Sequence, residues 1–148
     1  MHLSQRDPQH ADRFRSSHSL HYDLPDGRTL LMLSGSVDID LKAPGWSQES
    51  PDTPPYRLDL ALDLLLPADL LAPDQRFAIE QSLPVVGLGS LAGSGNVLWG
   101  IQAFAVAAAQ PVSQVVRLTL EAEVARSAEV LHAVVYSVTL LGRRSQAA

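Results

Sequence analysis

Residues 114–126 read QVVRLTLEAEVAR, and this stretch decides the fold class. Apolar and polar side chains alternate along it, with Val116 and Leu118 on one side and Arg117 and Thr119 on the other. A period of two residues is typical of a half-buried β-strand. The stretch therefore predicts an antiparallel strand with a core face and a solvent face.

The segments on either side of this strand also read as strands, near 97–108 and 129–141. Valine, tyrosine and threonine dominate 129–141 and favour strands, although the segment also fits a helical stripe and 97–109 is rich in alanine. We predict an all-β fold, an antiparallel β-sandwich or flattened barrel of about seven or eight strands. The alternative is an α+β fold with one helix on a curved antiparallel sheet.

A hairpin is predicted upstream. In residues 19–24 the apolar Leu20, Tyr22 and Leu24 alternate with polar residues, which predicts a half-buried strand. Asp26 and Gly27 follow, and this dipeptide predicts a two-residue type I′ turn, which needs positive φ at both central positions.

The strand after this turn is long. Its apolar residues share the odd-numbered positions, which predicts the core face Leu31, Leu33, Val37, Ile39 and Leu41. The register continues through Gly35, so we predict a bend there rather than a bulge, which would exchange the two faces. Leu30 and Met32 interrupt the polar face, and we expect another surface to cover them.

The middle of the chain contains a loop and two strands. Residues 42–55 are rich in proline and polar residues and predict a loop, and 56–66 is the most regular alternating strand. Residues 67–74 predict a turn. A further strand is predicted over 77–85, and Pro84 within it favours an edge or a strand end. The apolar residues that indicate this strand are Phe77, Ile79, Leu83 and Val85.

Length and composition indicate one compact, soluble domain. The chain has 148 residues, of which 46% are hydrophobic and 18% charged, enough to bury a core. We predict a flexible N-terminal arm at 1–17, a single β domain at 18–142 and a C-terminal tail at 143–148, because both ends are polar.

Several function classes are disfavoured. The chain has no cysteine, which excludes disulfides, thiolate catalysis and cysteine-ligated metals. Its net charge of -5 gives no electrostatic reason to bind nucleic acid. The longest apolar run, 97–109, is too short for a membrane span, and 1–17 does not resemble a secretory signal, so we expect a cytoplasmic location.

One candidate site is an apolar cavity. Tyr22, Trp99, His132 and Tyr136 are predicted to line it, with His132 either a buried core histidine or a general base. The glycine-rich stretch 87–96 is predicted as a flexible connection or, alternatively, as a lid over this cavity. The lid positions are Gly87, Gly89, Gly93 and Gly95.

A second candidate site combines Trp46 with acidic side chains. Trp46 in the loop could stack on a sugar ring or, more simply, anchor the loop to the sheet. The acidic pairs lie on polar strand faces, where they either bind Ca²⁺ or keep the sheet solvated. These pairs are Asp38 and Asp40, Asp59 and Asp63, and Glu121 and Glu123.

No nucleophile constellation, metal motif or cofactor fingerprint is present, so we assign no catalytic residue, metal or cofactor. We therefore predict a non-enzymatic binding or assembly module, which we expect to form homo-oligomers because 97–108 is apolar on both faces. The alternatives are a small apolar-ligand-binding or enzymatic cavity protein and a calcium- or carbohydrate-binding module. A small apolar ligand or another protein would be the partner.

Overall fold

The computed structural model describes residues 2–38, 46–50, 53–91, 101–112, 115–124 and 131–146, and side chains at 2–38, 60–87, 115–120 and 133–146. The described residues form one short 3₁₀ helix and nine strands. The helix is Ala11–Arg13, and the strands are β1 His2–Ser4, β2 Phe14–Asp23, β3 Thr29–Asp38, β4 Trp46–Ser50, β5 Thr53–Leu65, β6 Gln75–Leu91, β7 Ile101–Val112, β8 Val115–Val124 and β9 Leu131–Gln146.

These strands form two sheets. The four-stranded sheet has the order β2-β3-β9-β6 and is antiparallel throughout. The five-stranded sheet has the order β1-β5-β8-β7, with β4 also paired to β5 and β1 parallel to β5. The prediction of an all-β, sandwich-like fold is confirmed. The described part of the chain contains no α-helix, so the α+β alternative is wrong there, and β7 and β9 are both strands.

The core contains side chains of both sheets. The predicted inward faces of β3, β5 and β8 are confirmed for every member whose side chain is described. β9 adds a fourth inward row, and Leu3 and Leu70 complete the core from outside the long strands. Its members are Leu3, Leu31, Leu33, Val37, Leu60, Leu62, Leu64, Leu70, Phe77, Val116, Leu118, Leu120, Val134, Tyr136, Val138 and Leu140.

Two glycines allow aromatic rings to lie against the four-stranded sheet. A Cβ on Gly35 would lie 2.1 Å from the carbonyl oxygen of Ser16 and 2.6 Å from the hydroxyl of Tyr136. A Cβ on Gly142 would lie 2.8 Å from the ring of Phe77. Pairing is continuous through Gly35, so the predicted absence of a bulge is confirmed. Glycine at position 35 leaves space for the Tyr136 ring and the Ser16 carbonyl to lie close to the backbone.

The β2–β3 hairpin is confirmed, but its turn is not the predicted one. The Gly27 N–H donates to the Leu24 carbonyl at 3.0 Å, so Pro25 and Asp26 are the central residues of the turn. Gly27 then has a φ of 79°. This arrangement is typical of a longer hairpin loop with a glycine in the left-handed region, and Pro25 favours it because its ring fixes φ for the first central position.

β6 is an edge strand of the described sheet, which agrees with the prediction from Pro84. A register shift lies between Ile79 and Gln81, and it exchanges the two faces of the strand. Phe77 and Ile79 therefore pack on the core. Leu83 and Val85, which continue the apolar pattern in the sequence, face outward instead.

Both ends of the chain contribute strands to the sandwich, although the sequence predicted a separate arm and a tail there. Leu3 is fully buried, and the strand around it pairs with β5, so residues 2–4 are not a separate arm. The later part of the predicted arm includes Phe14, which packs against the core. At the other end, β9 continues through the predicted tail, with Gln146 opposite Gln75.

The predicted loop 42–55 contains β4, which pairs antiparallel with β5. Its polar sequence gave no alternation to indicate a strand, and pairing at the periphery of the sheet tolerates such a sequence. The predicted turn at 67–74 is confirmed by a hydrogen bond from the Leu70 N–H to the Pro67 carbonyl, 3.1 Å long. Within the described ranges, no helix is long and apolar enough to cross a membrane.

Candidate interaction surface

The outward-facing side of the four-stranded sheet is the most unusual surface of the described residues. Strand register places its positions in cross-strand rows, because directly paired residues project from the same side. We call this surface the outer face. It comprises Ser16, His18, Leu20 and Tyr22 of β2; Leu30, Met32, Ser34 and Ser36 of β3; Val135, Ser137, Thr139 and Leu141 of β9; and Gln81, Leu83, Val85 and Gly87 of β6.

Exposed large hydrophobic side chains concentrate on this outer face. Seven such side chains are exposed among the described residues, and six of them lie here. They form rows across the sheet, because Leu20 pairs with Met32, and Met32 is joined through Thr139 to Leu83. The six are Leu20 at 49%, Tyr22 at 52%, Met32 at 40%, Leu83 at 66%, Val85 at 57% and Val135 at 39% of their full exposure.

The outer face carries no formal charge. None of its sixteen positions is Asp, Glu, Lys or Arg, although 18% of the whole chain is charged, and this side of the sheet continues beyond them into Asp38, Arg76 and Arg143. Charges adjoin it at both ends, where Arg15 pairs with Asp38 and Arg143 pairs with Glu80 at 2.9 Å. Each of these four charges has an opposite charge within the chain, so two ion pairs border the uncharged centre of the face.

The remaining polar side chains of the outer face are His18, Gln81, Thr139 and four serines. Serines occupy the corner that β2 and β3 share, and the hydroxyls of Ser16 and Ser36 hydrogen-bond at 3.1 Å. The other outward serines in this corner region are Ser34 and Ser137. The face thus divides into a large apolar band and a smaller hydroxyl-lined corner.

The structure does not bring together two of the residues predicted to line one cavity. Tyr22 pairs with Leu30 on the outer face and is about half exposed. Tyr136 pairs with Gly35 on the opposite face and is 4% exposed. Burial raises the pKa of the Tyr136 hydroxyl, and a hydrogen bond with Ser17 partly offsets that rise. The two rings therefore face different environments, and a ligand site containing both is not formed.

The other predicted site residues are only partly described. Trp46 lies in β4 opposite Leu58, and His132 lies in β9, but their side chains are outside the described part. Trp99 lies entirely outside the described residues. Of the predicted lid positions, Gly87 and Gly89 belong to β6, so the glycine-rich connection does not begin at 87. The other two, Gly93 and Gly95, also lie outside the described residues. A ligand-binding role for these residues stays a prediction.

A small open cleft lies at the β2–β3 hairpin end of the sandwich, away from Tyr136. Its volume is about 260 Å³, below the roughly 300–1,000 Å³ of typical ligand pockets. Its polar groups already bind one another, since Thr29 donates to Asp23 at 2.9 Å and Arg144 also pairs with that carboxylate. The contact with Thr29, followed by the charge of Arg144, lowers the pKa of Asp23. Asp23, Gly27, Arg28, Thr29 and Arg144 line this cleft, and none of them is among the residues predicted to line the apolar cavity.

The two members of the predicted acidic pairs whose side chains are described, Asp38 and Asp63, are held by basic partners. Asp63, on the outward side of β5, is 8% exposed and accepts two hydrogen bonds from Arg117, at 2.8 and 3.1 Å. His2 approaches the same carboxylate at 3.1 Å. The hydrogen bonds from Arg117 lower the pKa of Asp63 against the opposing effect of burial. This carboxylate joins β1, β5 and β8.

A calcium role gains no support from these contacts. Asp38 is paired with Arg15, as Asp63 is with Arg117, so each carboxylate is already engaged by a cation. Among the described residues, no group of three or more potential ligands is placed to hold a metal ion. The side chains of the other acidic pairs lie outside the described part: Asp40, Asp59, Glu121 and Glu123.

The sequence contained one signal of the outer face. Leu30 and Met32 interrupt the polar side of β3, which predicts a covering surface, and they lie within the apolar band. The contributions of β6 and β9 were missed. In β6 the register shift after Ile79 reverses the outward and inward positions, and β9 pairs with β6 along that reversed segment. Comparisons with protein-family models, with curated proteins and with solved structures find no significant match.

Proposed function

We propose that this protein is a non-enzymatic binding or assembly module whose contact surface is the outer face of the four-stranded sheet. The observation that carries the proposal is the concentration of exposed apolar side chains there, with no formal charge among them. The largest apolar patch on a typical monomer covers about 300–600 Å² and is often functional.

The dimensions of the face support this proposal. Four strands at about 4.8 Å spacing and seven residues at about 3.4 Å each give a projected area of roughly 450 Å². Burial of apolar surface stabilises an association by about 25 cal/mol per Å², before the opposing cost of lost freedom is counted. On the solvent-facing side of a strand the residues are normally polar. An apolar side therefore favours a strand side that another surface covers.

Cysteine footprinting tests the proposal, because the chain has no cysteine of its own. Thr139→Cys places a thiol at the centre of the outer face, and Thr119→Cys places one on the outward side of the other sheet. Both threonines are half-buried in strands with a partner on each side, so the two variants are matched.

The alkylation rate of each thiol is measured with dilute protein, with concentrated protein and in an extract of the source cells. We expect the thiol at position 139 to be protected in concentrated protein or in the cell extract. The thiol at position 119 should remain unprotected in both. Equal rates under all conditions at both positions would refute a contact role for this face.

A further inference from the structure

We infer that the outer face of the four-stranded sheet binds a second copy of the same chain, packed face to face. This inference rests on the proposed function and identifies its partner.

Charge is the first argument. The chain has a net charge of -5, and the sixteen positions of the outer face contribute no Asp, Glu, Lys or Arg to it; the charged positions on this side, Asp38, Arg76 and Arg143, lie at the ends of its strands. A partner selected by charge complementarity would need fixed charges on this surface, and like charges that meet across an interface are costly. An uncharged apolar sheet face fits another uncharged apolar sheet face, and the chain itself supplies one without repulsion at the contact.

The rim supports the same conclusion. Arg143 is held by Glu80, and its second contact is the Asp26 carbonyl at 3.1 Å. At the opposite end Arg15 is held by Asp38. Because these pairs are closed within one chain, a second copy can approach without separating either of them.

Shape and symmetry define the arrangement. Two sheets pack face to face at about 10 Å, either aligned or nearly orthogonal. A two-fold axis in the plane between them brings the apolar band of one copy onto that of the other. Leu20, Met32 and Leu83 lie in one cross-strand row of this band. The smaller hydroxyl-lined corner then lies toward the periphery, where water reaches it.

The size of the face sets the expected strength. Two copies would bury on the order of 1,000 Å² in total, which is at the low end of specific interfaces. Interfaces of standard size range from micromolar to picomolar affinity, so we expect this smaller one to dissociate with a constant above about 1 µM. The dimer should therefore be reversible and visible only at concentrations well above that value.

Sedimentation velocity of the full chain from 1 to 500 µM tests the inference, with two glutamate variants. Leu83→Glu changes the most exposed apolar residue of the outer face, at 66%, so the substitution removes no core side chain. Leu65→Glu is the matched control, because Leu65 is the one large exposed hydrophobic, at 40%, that the described residues place off this face. Circular dichroism checks that each variant remains folded.

The expected result is a concentration-dependent dimer for the wild type and for Leu65→Glu, weakened at least tenfold in Leu83→Glu. The loss is large because symmetry places the substitution in the interface twice and each new charge loses water. Equal dimerisation of all three proteins would overturn the inference, since the contact would lie elsewhere. A protein that remains monomeric at all concentrations would also overturn the inference. In that case the proposed function would still hold if the cell extract protected the thiol at position 139. If the extract gave no protection there, the proposed function would fail as well.

Discussion

Gly35→Ala tests the packing of the four-stranded sheet most directly. The new methyl would lie 2.1 Å from the carbonyl oxygen of Ser16, 2.6 Å from the hydroxyl of Tyr136 and 2.9 Å from the Cζ of the same ring. Distances below 3.0 Å cannot be kept, so the ring or a strand must move. Ser16 offers no easy movement, because its oxygen belongs to the backbone of β2 beside a register shift.

The expected cost follows from this geometry. Inserting a methyl into a closely packed site destabilises proteins by about 1–3 kcal/mol. The involvement of backbone places Gly35→Ala in the upper half of that range. Each kcal/mol lowers the melting temperature of a domain of this size by roughly 2–4 °C. We therefore expect a fall of about 4–12 °C, measured by far-ultraviolet circular dichroism together with urea unfolding.

Gly87→Ala is the matched control. It substitutes another strand glycine, but its Cβ would meet only the Cγ2 of Val135 at 3.3 Å, the end of a side chain that can adjust. We expect its stability to lie within about 0.5 kcal/mol of the wild type, the usual range for a surface substitution. Adding Tyr136→Phe to Gly35→Ala should restore little stability, because the Ser16 carbonyl remains. A Gly35→Ala variant as stable as Gly87→Ala would refute the packing argument.

Two further predictions concern the N-terminal strand and the carboxylate beside it. Leu3→Ala should lower the unfolding free energy by about 2–5 kcal/mol in urea titration, because Leu3 is fully buried; a value below about 0.5 kcal/mol would show that β1 adds nothing to the core. Asp63→Asn should cost about 1–2 kcal/mol at neutral pH through the lost charged hydrogen bonds. The pKa of Asp63 is lowered in the folded state, so its contribution is fully present above the unfolded pKa near 4 and is lost as pH falls below that value. The difference between wild type and Asp63→Asn should therefore shrink as the pH falls below about 4, and a constant difference would contradict this role.

The sequence predicted the class of fold because alternation is a local property. Val116, Leu118 and Leu120 identify a strand and its core face without reference to any other strand. The pairing of the two sheets and the burial of Leu3 depend on contacts between distant segments. A three-residue strand such as β1 has too few residues for a period, so only its partner β5 reveals it.

The candidate surface could be predicted only in part, for a related reason. Alternation divides a strand into two sides but does not say which side faces the core. In β2 the alternation predicts a half-buried strand, yet the apolar residues Leu20 and Tyr22 face outward and are about half exposed. In β6 the apolar residues that indicate the strand lie on both sides of the sheet, Phe77 and Ile79 inward and Leu83 and Val85 outward, because one shift of register exchanges the sides.

These two reversals have a common physical meaning. Apolar residues alternate in β2 and in the second half of β6 as they do in a core-facing strand, although both segments direct them away from the core. The two strands lie at opposite edges of the sheet, and Leu20 and Leu83 occupy the same cross-strand row. A single exposed apolar residue needs no explanation, but a row that continues across four strands does. The pattern is that of a sheet with two apolar sides, one covered by the other sheet of the sandwich and the other the contact surface that we propose.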